Sequence, residues 1–291
     1  IESDTANIDP KEIEKKINSN TRGIIAVHFA GQSCDMQKIN DVAKKHNLFV
    51  IEDAAQALGS EYKETKVGSC KFSDLTTFSF HPVKNITTGE GGAITTNNKE
   101  LYEKLLMLRT HGITRDLDKL NKNDGSWYYE QQTLGFNYRI TDFSCALGIS
   151  QLKKLDKFAK RRREIVEFYK KEFSNDERFS YLIEKDFSKA AFHLFPLLIN
   201  FEKLKINNTS PRLRITGKKD LFEKLKERGL FLQVHYIPVH LQPYYQKMGF
   251  ALGDFPLAED YYKKTISLPL YVNLKNKDLK KIVKIVKELV K

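Results

Sequence analysis

The chain has 291 residues, of which 49 are basic and 37 acidic, so its formal net charge is +12. Hydrophobic residues make up 41%, which is typical of a globular chain with one large core or two smaller ones and argues against disordered and fibrous classes. No apolar run is long enough for a membrane span, and the first residues lack the basic and apolar regions of a signal peptide. We therefore expect a cytoplasmic protein with no membrane partner.

Cysteine and lysine usage exclude further classes. The three cysteines, Cys34, Cys70 and Cys145, are too few and too far apart for a disulfide framework or a closed zinc site, and an odd count suits a reducing compartment. The densest basic run, residues 160–163, falls on a predicted helix without interleaved aromatic residues. We expect no nucleic-acid partner, since attraction of an anionic small substrate explains the net positive charge at least as well as nucleic-acid binding does.

The first half of the chain alternates helices with short apolar strands. The elements predicted, in order, are a helix over residues 9–20, a strand over 24–29, a helix over 35–46, strands over 48–51, 76–80 and 91–96, and a helix over 100–109. A strand, a helix and a strand in succession make a right-handed crossover, so we expect a mainly parallel sheet.

The second half begins with an irregular excursion over residues 110–135. The elements predicted after it are a helix capped by Thr141 or Asp142, a long helix over 150–173, a strand over 192–199, a polar loop over 207–218, a helix over 220–228, a strand over 232–237 and a last helix over 277–290. We interpret the long helix as a bridge between two domains. The predicted division is a large domain, residues 1–149, and a bridging helix with a small carboxyl-terminal α/β domain, residues 150–291.

Lys84 is unusual among the many lysines because it lies just beyond the carboxyl end of a predicted buried strand. Most lysines are solvated, but the neighbours of this one are apolar: Phe78, Phe80, Val83 and Ile86. A partly desolvated ammonium has a lowered pKa and can attack a carbonyl. We therefore predict a Schiff-base lysine.

Asp53 and Gln56 follow the strand predicted over residues 48–51. Ligands bind at the carboxyl ends of strands in open parallel sheets, so both residues should lie near Lys84. An equally weighted alternative is that Asp53 only caps the amino terminus of a helix that follows the strand. A lysine that forms an imine, a carboxylate at another strand end and a hydroxyl beside the lysine are what pyridoxal phosphate requires: an aldehyde anchor, a partner for the pyridine nitrogen and a phosphate ligand.

Four stretches carry a family resemblance: residues 27–36, 51–60, 78–92 and 135–139. In these stretches the sequence resembles the DegT/DnrJ/EryC1/StrS nucleotide-sugar aminotransferases, and the resemblance extends over essentially the whole chain. Residues 108–115 and 235–245 are most similar to the branch that serves pseudaminic acid biosynthesis. The resemblance implies an α/β fold of the pyridoxal-phosphate-dependent type I class, like aspartate aminotransferase, with a mainly parallel sheet in the large domain.

The resemblance also implies roles for individual residues. Lys84 forms the Schiff base with pyridoxal 5'-phosphate and carries protons, Asp53 pairs with the pyridine nitrogen, and Gln56, where relatives often have histidine, meets the phenolic oxygen or the ring face. Ser79 binds the phosphate, and Asn137 reaches the phosphate in the neighbouring subunit, which makes a homodimer with shared active sites. Candidates for substrate contacts are His81, Arg139, His235 and Tyr236.

The activity implied is transfer of an amino group from L-glutamate to the C4 keto group of a UDP-linked 4-keto-6-deoxy-N-acetylhexosamine. A C3 or dTDP-linked keto sugar is the alternative substrate. A sugar 3-dehydratase is disfavoured, because those relatives typically replace the lysine with histidine. We expect no metal, since His235 and His240, five residues apart on a strand and a proline turn, do not converge.

Family members carry strands and a turn containing Ser/Thr-Gly-Thr before the point that corresponds to Ile1. We therefore expect the amino-terminal part of the family domain, and with it part of the phosphate site, to be missing here. A non-catalytic remnant that dimerises or binds sugar nucleotides is the alternative from another class.

Overall fold

The structure is a computed structural model that describes residues 1–204 and 215–290. The predicted polar loop over 207–218 lies mostly outside these residues. The α-helices described are α1 (Pro10–Ile13), α2 (Met36–Lys45), α3 (Lys99–Leu108), α4 (Asp142–Leu152), α5 (Leu155–Phe173), α6 (Lys218–Glu227), α7 (Pro243–Gln246), α8 (Pro256–Lys264) and α9 (Asn276–Leu289). None of these described helices is long and apolar enough to cross a membrane.

The described strands form four small sheets. The strands described are β1 (Gly23–Val27), β2 (Phe49–Asp53), β3 (Glu61–Tyr62), β4 (Thr65–Lys66), β5 (Leu75–Ser79), β6 (Gly92–Thr95), β7 (Ile113–Thr114), β8 (Glu130–Gln131), β9 (Phe179–Tyr181), β10 (Ser188–Lys189), β11 (Phe195–Ile199) and β12 (Thr265–Leu268). Their orders are β1-β2-β5-β6, β10-β3-β4, β12-β11-β9 and β7-β8.

The four-stranded sheet positions the candidate site. β1 pairs with β2 and β2 with β5 in parallel, whereas β6 returns antiparallel to β5. The mainly parallel sheet predicted from the crossover pattern is therefore confirmed. The register places Asp53 between Val27 and Thr77, at the carboxyl edge of the sheet.

The two faces of this sheet differ. On one face, Met36, Ile39 and Ala43 of α2 pack against a buried layer of β1 and β2 that includes Ala26 and Val50. Because side chains alternate along a strand, the next residues face the other way. These are exposed: Ile25, Val27 and Phe49.

A second core surrounds the antiparallel sheet β12-β11-β9. Buried residues of α5, α6 and α9 pack together with this sheet in one cluster that contains Tyr169, Leu221 and Val286. Arg162 of α5 is buried beside it and donates hydrogen bonds to the carbonyls of Phe192, His193 and Leu270. The division at residues 149 and 150 stays a prediction.

Several predicted elements differ from the structure. The single helix over 150–173 is wrong: α4 ends at Leu152 and α5 begins at Leu155, because a turn at Lys153 and Lys154 caps α4 through the carbonyls of Ile149 and Gln151. The helix predicted over 9–20 is shorter in the structure. There α1 ends at Ile13 and is followed by one 3-10 turn, Glu14–Lys16.

The strand predicted over 232–237 is also wrong. Only Gln233 forms a bridge, to Ser267. The place beside β11 is taken by β12, which the sequence analysis did not predict and which is buried along its whole length. Residues 232–237 instead lie beside β12, and a short apolar run does not by itself show whether it pairs as a strand.

Candidate active site

Asp53 ends β2 in a tight turn. Its Oδ1 accepts a hydrogen bond from the N–H of Ala55 at 3.0 Å, and no helix follows. The helix N-cap interpretation of Asp53 is therefore wrong, because the turn takes the place of the expected helix. Among the described residues Oδ2 makes no hydrogen bond, so one carboxylate oxygen is available to a ligand.

Lys84 lies in the loop that follows β5, in a turn closed by the hydrogen bond from its N–H to the carbonyl of His81 at 3.0 Å. The side chain is partly buried, and this burial lowers the pKa of its amine below the usual 10.5, while the charge of Asp53 acts in the opposite direction. A lowered pKa leaves more of the amine neutral and nucleophilic. The structure thus brings Lys84 and Asp53 within electrostatic reach of each other.

Lys218 shows that a lowered pKa alone does not identify a nucleophile. Burial lowers the pKa of this lysine to about 8. Its Nζ donates to the carbonyl of Tyr262 and lies 4.2 Å from the centre of the ring of the same tyrosine. Lys218 begins α6 and is not at a strand end of the parallel sheet, so Lys84 remains the better candidate.

Gln56 and Tyr236 are joined directly. Gln56 Oε1 accepts from the N–H of Ala30 at 2.7 Å, and Nε2 donates to the phenolic oxygen of Tyr236 at 3.1 Å. The ring of Phe29 meets that of Tyr236 edge-on, with 6.3 Å between centroids. The structure therefore places these two predicted site residues together, although 180 positions separate them in the sequence.

His235 lies beside Tyr236, with 4.7 Å between the centroids of the two rings. Its Nδ1 shares a hydrogen bond of 2.8 Å with Ser267 Oγ, and its carbonyl accepts from the hydroxyl of Tyr261 at 3.0 Å. Burial, and next the charge of Lys84, lower the pKa of His235. His235 is therefore kept as a neutral imidazole near the lysine.

His193 is a site neighbour that the sequence analysis missed. It is buried, and its Nδ1 has no hydrogen-bond partner among the described residues. Burial, followed by the charges of Lys84, Arg162 and His235, lowers the pKa of His193 to about 3. A single histidine before an apolar strand gives no sequence pattern that could have revealed this position.

Of the remaining predicted residues, Ser79 is half-buried, whereas His81, Asn137 and Arg139 are exposed. Ser79 Oγ accepts from the N–H of His81 at 3.4 Å, and the exposed ring of His81 lies 3.8 Å from the carboxylate of Glu90. Asn137 and Arg139 are exposed in the segment before α4. Within residues 1–204 and 215–290, no hydrogen bond or ion pair joins Asn137 or Arg139 to Lys84.

His240, which the sequence offered as a partner of His235, is bound elsewhere. Its Nε2 lies 2.9 Å from Glu259 Oε1 in a buried pair. In the part of the chain that the structure describes, no group of three or more His, Cys, Asp or Glu side chains is arranged to hold a metal ion.

Comparison with known proteins supplies the family. The profile of the DegT/DnrJ/EryC1/StrS aminotransferase family matches residues 1–287. The chain belongs to this family. It is 46% identical over 291 residues to the uncharacterized protein MJ1066 of Methanocaldococcus jannaschii, covering 100% of this chain and 72% of that protein.

Two further relatives of this family member carry functional names. Over 279 residues it is 43% identical to a UDP-4-amino-4,6-dideoxy-N-acetyl-beta-L-altrosamine transaminase of Campylobacter jejuni, covering 94% of this chain and 68% of that one. The structure of Helicobacter pylori PseC, an aminotransferase involved in the biosynthesis of pseudoaminic acid, matches with a TM-score of 0.85 and 34% identity, covering 100% of this chain and 72% of that one. The expected type I transferase fold is confirmed.

Aminotransferases of this family depend on pyridoxal phosphate, and the residues present fit that group. The amine of Lys84 suits the aldehyde, the unpaired carboxylate oxygen of Asp53 suits the pyridine nitrogen, and the hydroxyl of Ser79 has its hydrogen uncommitted among the described residues. Gly89 in the same loop, at φ +81°, has open space where a Cβ would lie. The loop thus leaves room for a ligand to approach the backbone.

Proposed function

We propose that this family member is a pyridoxal-phosphate-dependent transaminase that moves an amino group from L-glutamate to the C4 keto group of a UDP-linked 4-keto-6-deoxy-N-acetylhexosamine in pseudaminic acid biosynthesis. The observation that carries the proposal is the amine of Lys84, partly desolvated and facing Asp53 at neighbouring strand ends. The printed names of the Campylobacter and Helicobacter relatives support this substrate class.

The chemistry divides between the cofactor and the chain. When bound, pyridoxal phosphate supplies an electron sink for the carbon that gains or loses a proton. Lys84 provides the amine that, in its neutral form, attacks a carbonyl, and its Nζ afterwards carries protons. Asp53, as a carboxylate, holds a proton at the pyridine nitrogen, while the hydroxyl of Ser79 binds a phosphate oxygen.

A homodimer is part of the proposal, with Asn137 of one subunit completing the phosphate site of the other. The exposed position of Asn137 supports this role, as does α4, which follows it and presents Phe143 with 91% of its surface exposed. We place the reaction in the cytoplasm, because the three cysteines, Cys34, Cys70 and Cys145, are free and a reducing compartment keeps thiols in that form.

The proposal is tested by adding pyridoxal phosphate and recording the visible spectrum. We expect an imine band that borohydride abolishes, that Lys84→Ala lacks and that Lys218→Ala retains. The second variant is the matched control, since Lys218 also has a lowered pKa but is not at a strand end of the parallel sheet. Absence of the band from the unmodified chain, or its loss in Lys218→Ala alone, contradicts the catalytic assignment.

The substrate is tested by single-turnover assays of the aminated cofactor form. A panel of UDP- and dTDP-linked sugars with keto groups at C3 or C4 should give the fastest amine transfer to the UDP-linked 4-keto-6-deoxy-N-acetylhexosamine. A faster reaction with a dTDP-linked or 3-keto sugar would assign the chain to another branch of its family.

A further inference from the structure

Gln56 connects two parts of the chain that are distant in sequence. Its Oε1 accepts from the N–H of Ala30, in the loop after β1, and its Nε2 donates to Tyr236, in the segment before α7. With 8% of its surface exposed, the side chain is buried between them. The oxygen and the nitrogen of the amide therefore each form a hydrogen bond within the protein.

The amide orientation follows from the partner at one end. A backbone N–H can only donate, so the oxygen of the amide must face Ala30 and the NH₂ group must face Tyr236. The phenolic oxygen consequently accepts, and its own hydrogen is left to be donated. Among the described residues this hydroxyl has no second hydrogen-bond partner.

Ala30 is held firmly enough to fix the amide. Its backbone is left-handed, at φ 56°, and its carbonyl accepts from the N–H of His193 at 2.8 Å. Gly31, at φ +97°, packs so closely that an added Cβ would lie 3.0 Å from that same nitrogen. The loop cannot shift toward or away from Gln56 without breaking these contacts.

The ring of Tyr236 is held on two sides. Phe29 meets it edge-on, and the ring of His235 lies at 82° to it with 4.7 Å between centroids. Burial raises the pKa of this phenol, the hydrogen bond from Gln56 lowers it, and the charge of Asp53 raises it. The hydroxyl therefore lies within electrostatic reach of Asp53, and half of the tyrosine surface is exposed.

We propose that Gln56 is a positioning residue that makes the hydroxyl of Tyr236 a hydrogen-bond donor to an oxygen of the keto-sugar substrate. The sugar is the fitting class because its ring and hydroxyl oxygens are neutral acceptors. Gln56 acts on the sugar through the tyrosine, and the second hydrogen of its NH₂ group is left for the cofactor contact that the resemblance implies. The inference rests on the proposed function, since it specifies a contact within that site.

The first test needs no cofactor. The phenol of Tyr236 is titrated by NMR in the full chain labelled with ¹³C-tyrosine, with Tyr236→Phe assigning the resonance. Burial and Asp53 raise its pKa, and the Gln56 hydrogen bond opposes them, so Gln56→Leu should raise the pKa by about half a unit to one unit. Gln56→Glu should raise it further, because a carboxylate accepts the phenolic hydrogen and adds negative charge.

The second test is kinetic. Tyr236→Phe should raise KM for the keto sugar by about three- to tenfold with a smaller change in kcat. Gln56→Leu and Gln56→Glu should have the same signature, and Gln56→His, with one acceptor and one donor, should restore at least part of the loss. Gln56→Leu combined with Tyr236→Phe should be no worse than Tyr236→Phe alone.

An unchanged titration in Gln56→Leu, or additive effects in the double variant, overturns the inference. Tyr244→Phe is the matched control and should leave KM unchanged. Tyr244 is exposed, and among the described residues its ring contact is with Tyr245 and not with Tyr236. Tyr236→Phe and Tyr244→Phe should retain the imine band with pyridoxal phosphate. Loss of that band from the unmodified chain contradicts the proposed function instead, so the two failures are distinguishable.

Discussion

At the scale of single residues, the position of Lys84 has a cost to the folded state. Partial burial disfavours the charged amine, so the pKa of Lys84 is lower in the folded chain than the unfolded value of 10.5. The destabilisation is complete below the folded pKa and disappears as pH rises toward 10.5, because the unfolded chain then loses the same proton. Such costs are common at functional sites, where activity and stability favour different residues.

Lys84→Met should therefore raise the thermal midpoint at pH 7, and the gain should shrink as pH approaches 10.5. Lys44→Met is the control, since Lys44 is exposed on α2 and its replacement should change the free energy of unfolding by no more than about 0.5 kcal/mol. The measurement is calorimetry of both variants at several pH values without cofactor. A gain that stays constant with pH would show that lost flexibility or packing, and not the charge, explains the effect.

At the scale of elements, the sequence predicted what local patterns determine. Apolar runs located β1, β2 and β5, the spacing of Met36, Ile39 and Ala43 located α2, and strand ends located Asp53 and Lys84. For β12, which pairs with β11, and for residues 232–237, which bridge to β12 through Gln233, local patterns did not show which segment becomes a strand. The partners of Gln56 and the burial of His193 depend on contacts between distant segments, so no local pattern could reveal them.

The loop after β1 gives a prediction at this scale. An added Cβ at Gly31 would lie 3.0 Å from the backbone nitrogens of Phe192 and His193 and 3.1 Å from the carbonyl oxygen of Gln56, all of them rigid backbone atoms. Gly31→Ala should lower the free energy of unfolding by about 2–5 kcal/mol, through left-handed strain plus overpacking. Urea unfolding measures the loss.

Gly229→Ala separates the two causes. Gly229 also has a left-handed backbone, at φ +78°, but an added Cβ there meets nothing within 4 Å. It should cost only the conformational strain, about 1–2 kcal/mol. Equal losses in the two variants would mean that the backbone around Gly31 relaxes and that the loop is not held as tightly as its contacts indicate.

At the scale of the whole molecule, one region of exposed apolar surface comprises α4 and the segment before it. On α4 the exposed apolar residues are Phe143, Leu147, Ile149 and Leu152, and the preceding segment adds Leu134, Phe136 and Tyr138. A helix with apolar residues on all sides is typical of a buried position, and patches of this kind mark interaction sites. Asn137 lies in the same surface, which supports the proposed homodimer with shared active sites.

Mixing two inactive variants tests that arrangement. If the site of one subunit needs its own Lys84 and the partner's Asn137, a mixed dimer of Lys84→Ala and Asn137→Leu contains one site with both natural residues and one with neither. Random exchange makes half of the dimers mixed, so about one quarter of the sites should be intact. Transaminase activity should recover to about that fraction of the unmodified enzyme. Mixing Lys84→Ala with Asp53→Asn is the matched control: both residues belong to the same subunit's site, so no intact site forms, and recovery there, or none in the first mixture, would rule out the shared site.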